Sequence, residues 1–286
     1  MARKSPTGLG MKIAMMLASL MLAGCGLDLE PIPQPVYVTA PENLRPRHDL
    51  ITGQRVFNLV PRAEMDRRAR SNLEDRLGLY RMVGLRQITD PAERRLARLQ
   101  AIADRVHRNS HLADRQIDII LIENNVFQAY TFGGGAVVFY TGLVERLDDD
   151  QLAGVVGHEL AHIAAGHIAE ETSRAIVNTN TPESLTPLAG FYGINAEMEA
   201  DRVGLVYTIL AGYDPAANVH FWADQARLGG RDILNPFADS HPPYHDRAAA
   251  LAEDAALLLR QPPGESESDR QHYLRCNPLY CLKDAD

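Results

Sequence analysis

Apolar and polar positions along this 286-residue chain fall into one short apolar block, a Pro-rich stretch and then a series of periodic segments. Residues 13–23 are almost wholly apolar, but eleven residues are too few to span a bilayer as a helix. Pro31, Pro33, Pro35, Pro41, Pro46 and Pro61 then punctuate a stretch with little periodicity, which predicts an extended tether. Residues 62–78 are charged and read as helix. Asp90-Pro91 supplies an N-cap and a first helical residue, and Leu96, Leu99, Ala103 and Val106 recur at helical spacing to about residue 108. The β signal is confined to two apolar runs, 117–122 and 136–141, joined through Gly133, Gly134 and Gly135, a spacing that predicts a hairpin or bulged turn. No Gly-Lys-Ser/Thr accompanies the glycines, so a phosphate loop is not supported.

Asp148 and Gln151 resemble a capping box and open a long helix to about residue 174. Residues 179–193 are rich in Thr, Pro and Gly and read as a loop with the composition of a mobile flap. Helices are predicted over 195–211, from Asp214-Pro215 to about 228, and from Pro242-Pro243 to about 260. No internal repeat is present. The fold class is therefore α+β, mostly helical with one small sheet.

Composition narrows the setting. Hydrophobic residues make up 45% and charged ones 23%, enough for a sizeable core and too few charges for wholesale disorder. A net charge of −8 argues against a nucleic-acid partner, because phosphate binding needs a basic surface. Arg3, Lys4 and Lys12 precede the apolar block, which ends Leu22-Ala23-Gly24-Cys25. A basic start, a short apolar core and a small-residue end make a secretory signal. The last four residues resemble the bacterial lipoprotein box, which implies acylation of Cys25 and cleavage before it. Residues 11–25 alone form a complete short signal, which makes Met11 a candidate start. Losing residues 1–24 takes the 29 basic groups to 26 against 37 acidic ones, a net charge of −11. A membrane anchor on such a body has to come from lipid, since anionic headgroups attract basic segments. Cys276 and Cys281 then remain as an even pair in an oxidising compartment and predict a local disulfide, with a zinc pair as the weaker reading. The expected organisation is a signal (1–24), a lipidated tether (25–61), a folded domain (62–262) that carries the motifs below, and a C-terminal tail with the disulfide (263–286).

The chemistry sits in the long helix. His158-Glu159-Leu160-Ala161-His162 is HExxH, and a spacing of four places both imidazoles on one helix face, where they can share one Zn²⁺. Glu159 beside them can take a proton from water. On a continuous helix His167 lies about 180° from His158 and faces away, which makes it structural rather than a ligand. Glu197 and Asp201 share a face of the following helix. One of them can complete the metal site while the other accepts the N–H of a ligand histidine.

HExxH followed by EMEADRVG, AGYDP and SHPPYHDR resembles the zinc metallopeptidase family that includes HtpX, the CaaX prenyl proteases and the periplasmic proteins BepA and LoiP, over about residues 90–260. The resemblance implies a zincin-like domain with one Zn²⁺ per chain on His158, His162 and Glu197, Glu159 as general base, and Asp201 and Arg247 behind the ligands. It places His241 near the metal, either stabilising the oxyanion or capping the zinc at rest. Gln128-Ala129-Tyr130-Thr131 and the glycine triplet stand where that family usually shows Asn-Ala-Phe-Ala and Pro-Gly-Gly.

The function implied is a zinc-dependent endopeptidase of the bacterial envelope acting on unfolded or misassembled proteins. It would be lipid-anchored and periplasm-facing, with the outer membrane favoured over the inner because Gly26, not Asp, follows Cys25. Substrate would pair with an edge strand at Ala136, Val137, Val138, Phe139 and Tyr140. A catalytically quiet chaperone or assembly factor for outer-membrane proteins is the alternative, and Glu159, dispensable for binding alone, argues for the enzyme.

Overall fold

The computed structural model describes residues 47–48, 55–56, 60–179, 194–228 and 245–279. The signal, Cys25, most of the Thr/Pro/Gly-rich loop, His241 and Cys281 lie outside the described residues. Within the Pro-rich stretch, β1 (Arg47–His48) pairs antiparallel with β2 (Arg55–Val56), so the expected tether carries a short ladder of its own.

Helix α1 (Arg62–Met82) runs four residues beyond the expected end. Its surface is polar, with Glu64 paired to Arg67 and Arg68, and its narrow apolar stripe, including Ala69 and Tyr80, packs on Ile120, Ile122, Tyr130, Val138 and Tyr140. The Tyr80 hydroxyl meets those of Tyr130 and Tyr140 there, so three buried phenols satisfy one another. After β3 (Arg86–Ile88), Asp90 Oδ1 accepts the Ala92 N–H at 2.9 Å and forms a turn rather than a cap. The cap of α2 (Arg94–His107) is Glu93, whose carboxylate accepts the N–H groups of Arg95 and Leu96.

The sheet order is β3-β4-β6-β5, with β4 (Asp118–Glu123), β5 (Ala129–Thr131) and β6 (Ala136–Tyr140). Two expectations are corrected here. The runs at β4 and β6 are parallel, Asp118 opposite Ala136 through Ile122 opposite Tyr140, so no hairpin joins them. The segment between them carries its own strand, β5, and the hairpin through the glycine triplet is β5–β6. In consequence β6 is flanked on both sides and is not an edge strand. Ala136 to Tyr140 cannot pair a substrate, and the edge on that side is β5.

Past the short α3 (Thr141–Val144), the capping box forms as expected at α4 (Asp149–Ala165): Asp148 accepts the Gln151 N–H at 2.8 Å, and Gln151 accepts that of Asp148 at 3.3 Å. The helix does not continue to residue 174. It stops at Gly166, which is left-handed at φ 78°, and α5 (His167–Thr179) starts afresh. Helices α6 (Ile194–Leu210), α7 (Pro215–Leu228) and α8 (His245–Arg260) follow. A further helix, α9 (Glu267–Arg275), puts Tyr273 and Leu274 into the main core, so this segment belongs to the folded body and not to a tail. Cys276, at its end, is disulfide-bonded. No helix among the described residues is long and apolar enough to cross a membrane.

The main core lies on the other face of the sheet, where Leu121, Val137 and Phe139 meet α2, α4 and α6. At its border His111 Nδ1 sits 2.9 Å from the Tyr207 hydroxyl, and burial holds the His111 imidazole down at about 4. An unfolded His titrates near 6.5, so between these values the unfolded chain binds more protons and stability falls with falling pH. The contribution is complete above about pH 6.5 and is lost by about pH 4, a loss on the order of 3 kcal/mol. Denaturant midpoints measured across that range are expected to flatten in His111→Phe. An unchanged pH profile in that variant would remove His111 as the cause.

Candidate metal centre

Helix α4 presents His158, Glu159 and His162 to α6, where Glu197 and Asp201 lie one turn apart. Side chains of ordinary size would hold two helices 8–10 Å apart. Here Gly157 and Gly204 face each other, and a Cβ on Gly204 would lie 2.7 Å from the His158 nitrogen. Backbone meets backbone beside the first histidine, which brings the Glu197 carboxylate within reach of both imidazoles.

His158 Nε2 and His162 Nε2 are 3.0 Å apart, and the Glu197 oxygens lie 3.4 Å from each ring nitrogen. The three ligand atoms fall within 4.8 Å of one another, and all three residues are buried. A tetrahedral ion with bonds of about 2.05 Å places its donors about 3.3 Å apart. The residues therefore fit a divalent ion of the zinc type, with two nitrogens and one carboxylate as donors. Glu159 is fully buried beside them.

The groups behind the donors fix their chemistry. His158 Nδ1 lies 3.0 Å from Asp201 Oδ1, which assigns the proton to Nδ1 and leaves the Nε2 lone pair for a metal. Arg247, buried on α8, forks onto Asp201 at 2.6 and 2.7 Å and reaches Glu197 at 2.9 Å. Its guanidinium lies 3.8 Å over the ring of Trp222, which in turn is 5.4 Å from the His158 ring. Burial pushes the Asp201 carboxyl up, but Arg247 and His158 outweigh it and hold it below the usual carboxylate value. Burial likewise pulls His158 down, yet Asp201 and Glu197 bring it above an ordinary imidazole. For His162 burial wins, and its ring is held well below the ordinary value, hence neutral with a lone pair to offer.

Of the residues read from sequence, His158, Glu159, His162, Glu197, Asp201 and Arg247 come together. Ala136 to Tyr140 lie inside the sheet and not at its edge. His167 does not face away: its Nδ1 lies 2.8 Å from His162 Nδ1, because Gly166 breaks the helix and resets its phase. Trp222 carried no sequence signal. Gly157 and Gly204 did, since a glycine inside a helix costs about 1 kcal/mol and marks a close approach.

The chain matches the model of Peptidase family M48 over residues 93–181 and 175–255. It is 26% identical over 172 residues to the mitochondrial metalloendopeptidase OMA1 of Arabidopsis thaliana, covering 53% of this chain and 35% of that protein. It is also 26% identical over 176 residues to the beta-barrel assembly-enhancing protease of Yersinia pestis, covering 50% and 36%. Over 148 residues it is 26% identical to metalloprotease YcaL of Escherichia coli (strain K12), covering 45% and 58%. The chain thus spans about a third to three-fifths of the length of these relatives.

Proposed function

The chain belongs to peptidase family M48, and from that membership and the donor geometry we propose that it is a zinc-dependent endopeptidase of the bacterial envelope that hydrolyses unfolded or misassembled proteins. The observation that carries the reading is the donor triangle of His158, His162 and Glu197, its ligand atoms within 4.8 Å of one another, each imidazole Nε2 3.4 Å from a Glu197 oxygen, and Glu159 buried next to it. The lipoprotein box at Cys25 supports a lipid anchor facing the periplasm, at the outer membrane by the reading of Gly26. The similarity to beta-barrel assembly-enhancing proteases supports the envelope setting.

His158, His162 and Glu197 would hold the ion, and Asp201 with Arg247 keeps His158 in the tautomer that can do so. Bound Zn²⁺ supplies Lewis acidity, which polarises the scissile carbonyl and makes water a stronger acid. Glu159 takes the proton of the attacking water on its carboxylate and delivers it to the leaving nitrogen as the C–N bond breaks. An extended substrate would add beside β5, Ala129–Thr131, so that backbone pairing selects unfolded chains more than sequence. Those three residues are buried, as are the donors and Glu159, which supports a resting form that must open before substrate enters. His241, outside the described residues, retains its proposed place as oxyanion donor or resting cap.

Elemental analysis of the purified chain is expected to find one zinc, and casein cleavage is expected to stop with a chelator and return with Zn²⁺. Cleavage that ignores the chelator would overturn the metal reading. Zinc-loaded protein that suppresses aggregation but cleaves nothing would install the chaperone reading instead.

A further inference from the structure

We propose that His167, backed by Glu199, is the positioning residue that holds His162 to the metal through Nε2. The inference rests on the metal reading above and adds residues to it. His162 Nε2 points into the donor triangle, 3.0 Å from His158 Nε2 and 3.4 Å from Glu197 Oε1, so this nitrogen must keep its lone pair to bind an ion. A neutral imidazole then carries its proton on Nδ1. That nitrogen faces His167 Nδ1 at 2.8 Å, with the rings 4.9 Å apart and 74° from coplanar, a geometry for one N–H donating into the plane of the other ring.

Two facing Nδ1 atoms share one proton, so the assignment propagates. His162 donates, His167 accepts, and His167 must hold its own proton on Nε2. That Nε2 lies 3.5 Å from Glu199 Oε2, an ion-pair separation rather than a formed hydrogen bond, with the carboxylate on the side where the chain of tautomers puts the proton. His167 is 2% exposed, so water does not set its orientation. The order Glu199, His167, His162 parallels Asp201 and His158, but with a neutral imidazole inserted between carboxylate and ligand. Alternate carboxylates of α6 therefore have separate tasks: Glu197 meets the metal, Glu199 backs His167, and Asp201 backs His158. Gly166 makes this possible, because only the break there turns His167 toward His162.

The test is zinc affinity by competition with a chromophoric chelator, read in parallel by fluorescence of Trp222, the chain's single tryptophan. His167→Phe keeps a ring but accepts no hydrogen bond, and is expected to bind zinc about 10–100-fold more weakly, the usual cost of losing a ligand's outer partner. His167→Gln is expected to stay within a few-fold of the unaltered protein. Its carboxamide oxygen can accept from His162, and its N–H can donate to Glu199. Glu199→Gln is expected to lose less than His167→Phe. Nitrogen-15 NMR of the zinc-loaded, unaltered protein should show His162 protonated at Nδ1 and coordinated at Nε2, a readout that survives even if His167→Phe fails to fold. Equal affinity in His167→Phe, an equal loss in His167→Gln, or His162 coordinated through Nδ1 would each overturn the proposal. Failure of the unaltered protein to take up zinc in the same titration would instead overturn the metal reading.

Discussion

Glu159→Gln is expected to bind zinc as tightly as the unaltered protein and to lose about 10²–10⁴-fold in the rate of casein cleavage, the usual worth of a positioned general base. The substitution keeps the shape and volume of a side chain that is fully buried, so the packing of α4 against the core has no reason to change. Glu159 is absent from the donor triangle of His158, His162 and Glu197, so the metal affinity has no reason to change either. What disappears is a buried carboxylate next to His158 that can cycle a proton, a task open neither to Glu197, which would hold the ion, nor to Asp201, which is committed to Arg247 and His158. A carboxamide cannot take a proton from water near neutral pH. Metal content and turnover on one preparation separate the cases. Cleavage at the unaltered rate would assign the activity elsewhere, and loss of zinc along with activity would mean that Glu159 holds the site together.

The pairs legible from spacing alone share one property, that their members lie one helical turn apart, whereas Arg247 was reached only through the family resemblance. His158 and His162, and Glu197 and Asp201, are spaced by four residues, and any regular helix puts such pairs on one face. What stayed hidden depends on breaks and on pairing at a distance. A single left-handed residue, Gly166, shifts the phase of everything after it, so His167 turns up against His162 when an unbroken helix would carry it to the far side. Strand β5 has three residues, too few to show alternation, and its insertion between β4 and β6 in sequence but outside them in the sheet makes β6 an inner strand. Asp90 had the chemistry of a cap, yet Glu93 nearer the helix took that place, a choice that only local backbone geometry decides. Trp222 reaches the site from α7 through tertiary packing alone.

Arg247 has the largest expected effect on stability. It is 1% exposed and sits between two buried carboxylates, forked onto Asp201 and bonded to Glu197, with the Trp222 ring beneath it. A guanidinium suits this place because its planar fork meets a carboxylate with two parallel bonds while its face stacks on an aromatic ring. Arg247→Met fills similar space but leaves two buried negative groups without their counter-charge. Breaking a buried pair from one side costs about 3–5 kcal/mol. In a domain of this size that lowers the melting temperature of the metal-free protein by about 6–20 °C. Arg247→Lys restores the charge and not the fork, so it is expected to recover part of the stability while His158, no longer backed by a fixed Asp201, binds zinc more weakly than before. Added zinc should narrow the gap between Arg247→Met and the unaltered protein, because the ion itself faces Glu197 and offsets part of the missing charge. Calorimetric melts of the three proteins with and without Zn²⁺ check the set. Equal melting temperatures in the metal-free state would show that Arg247 does not neutralise the pair, and a deficit untouched by zinc would confine its role to packing against Trp222.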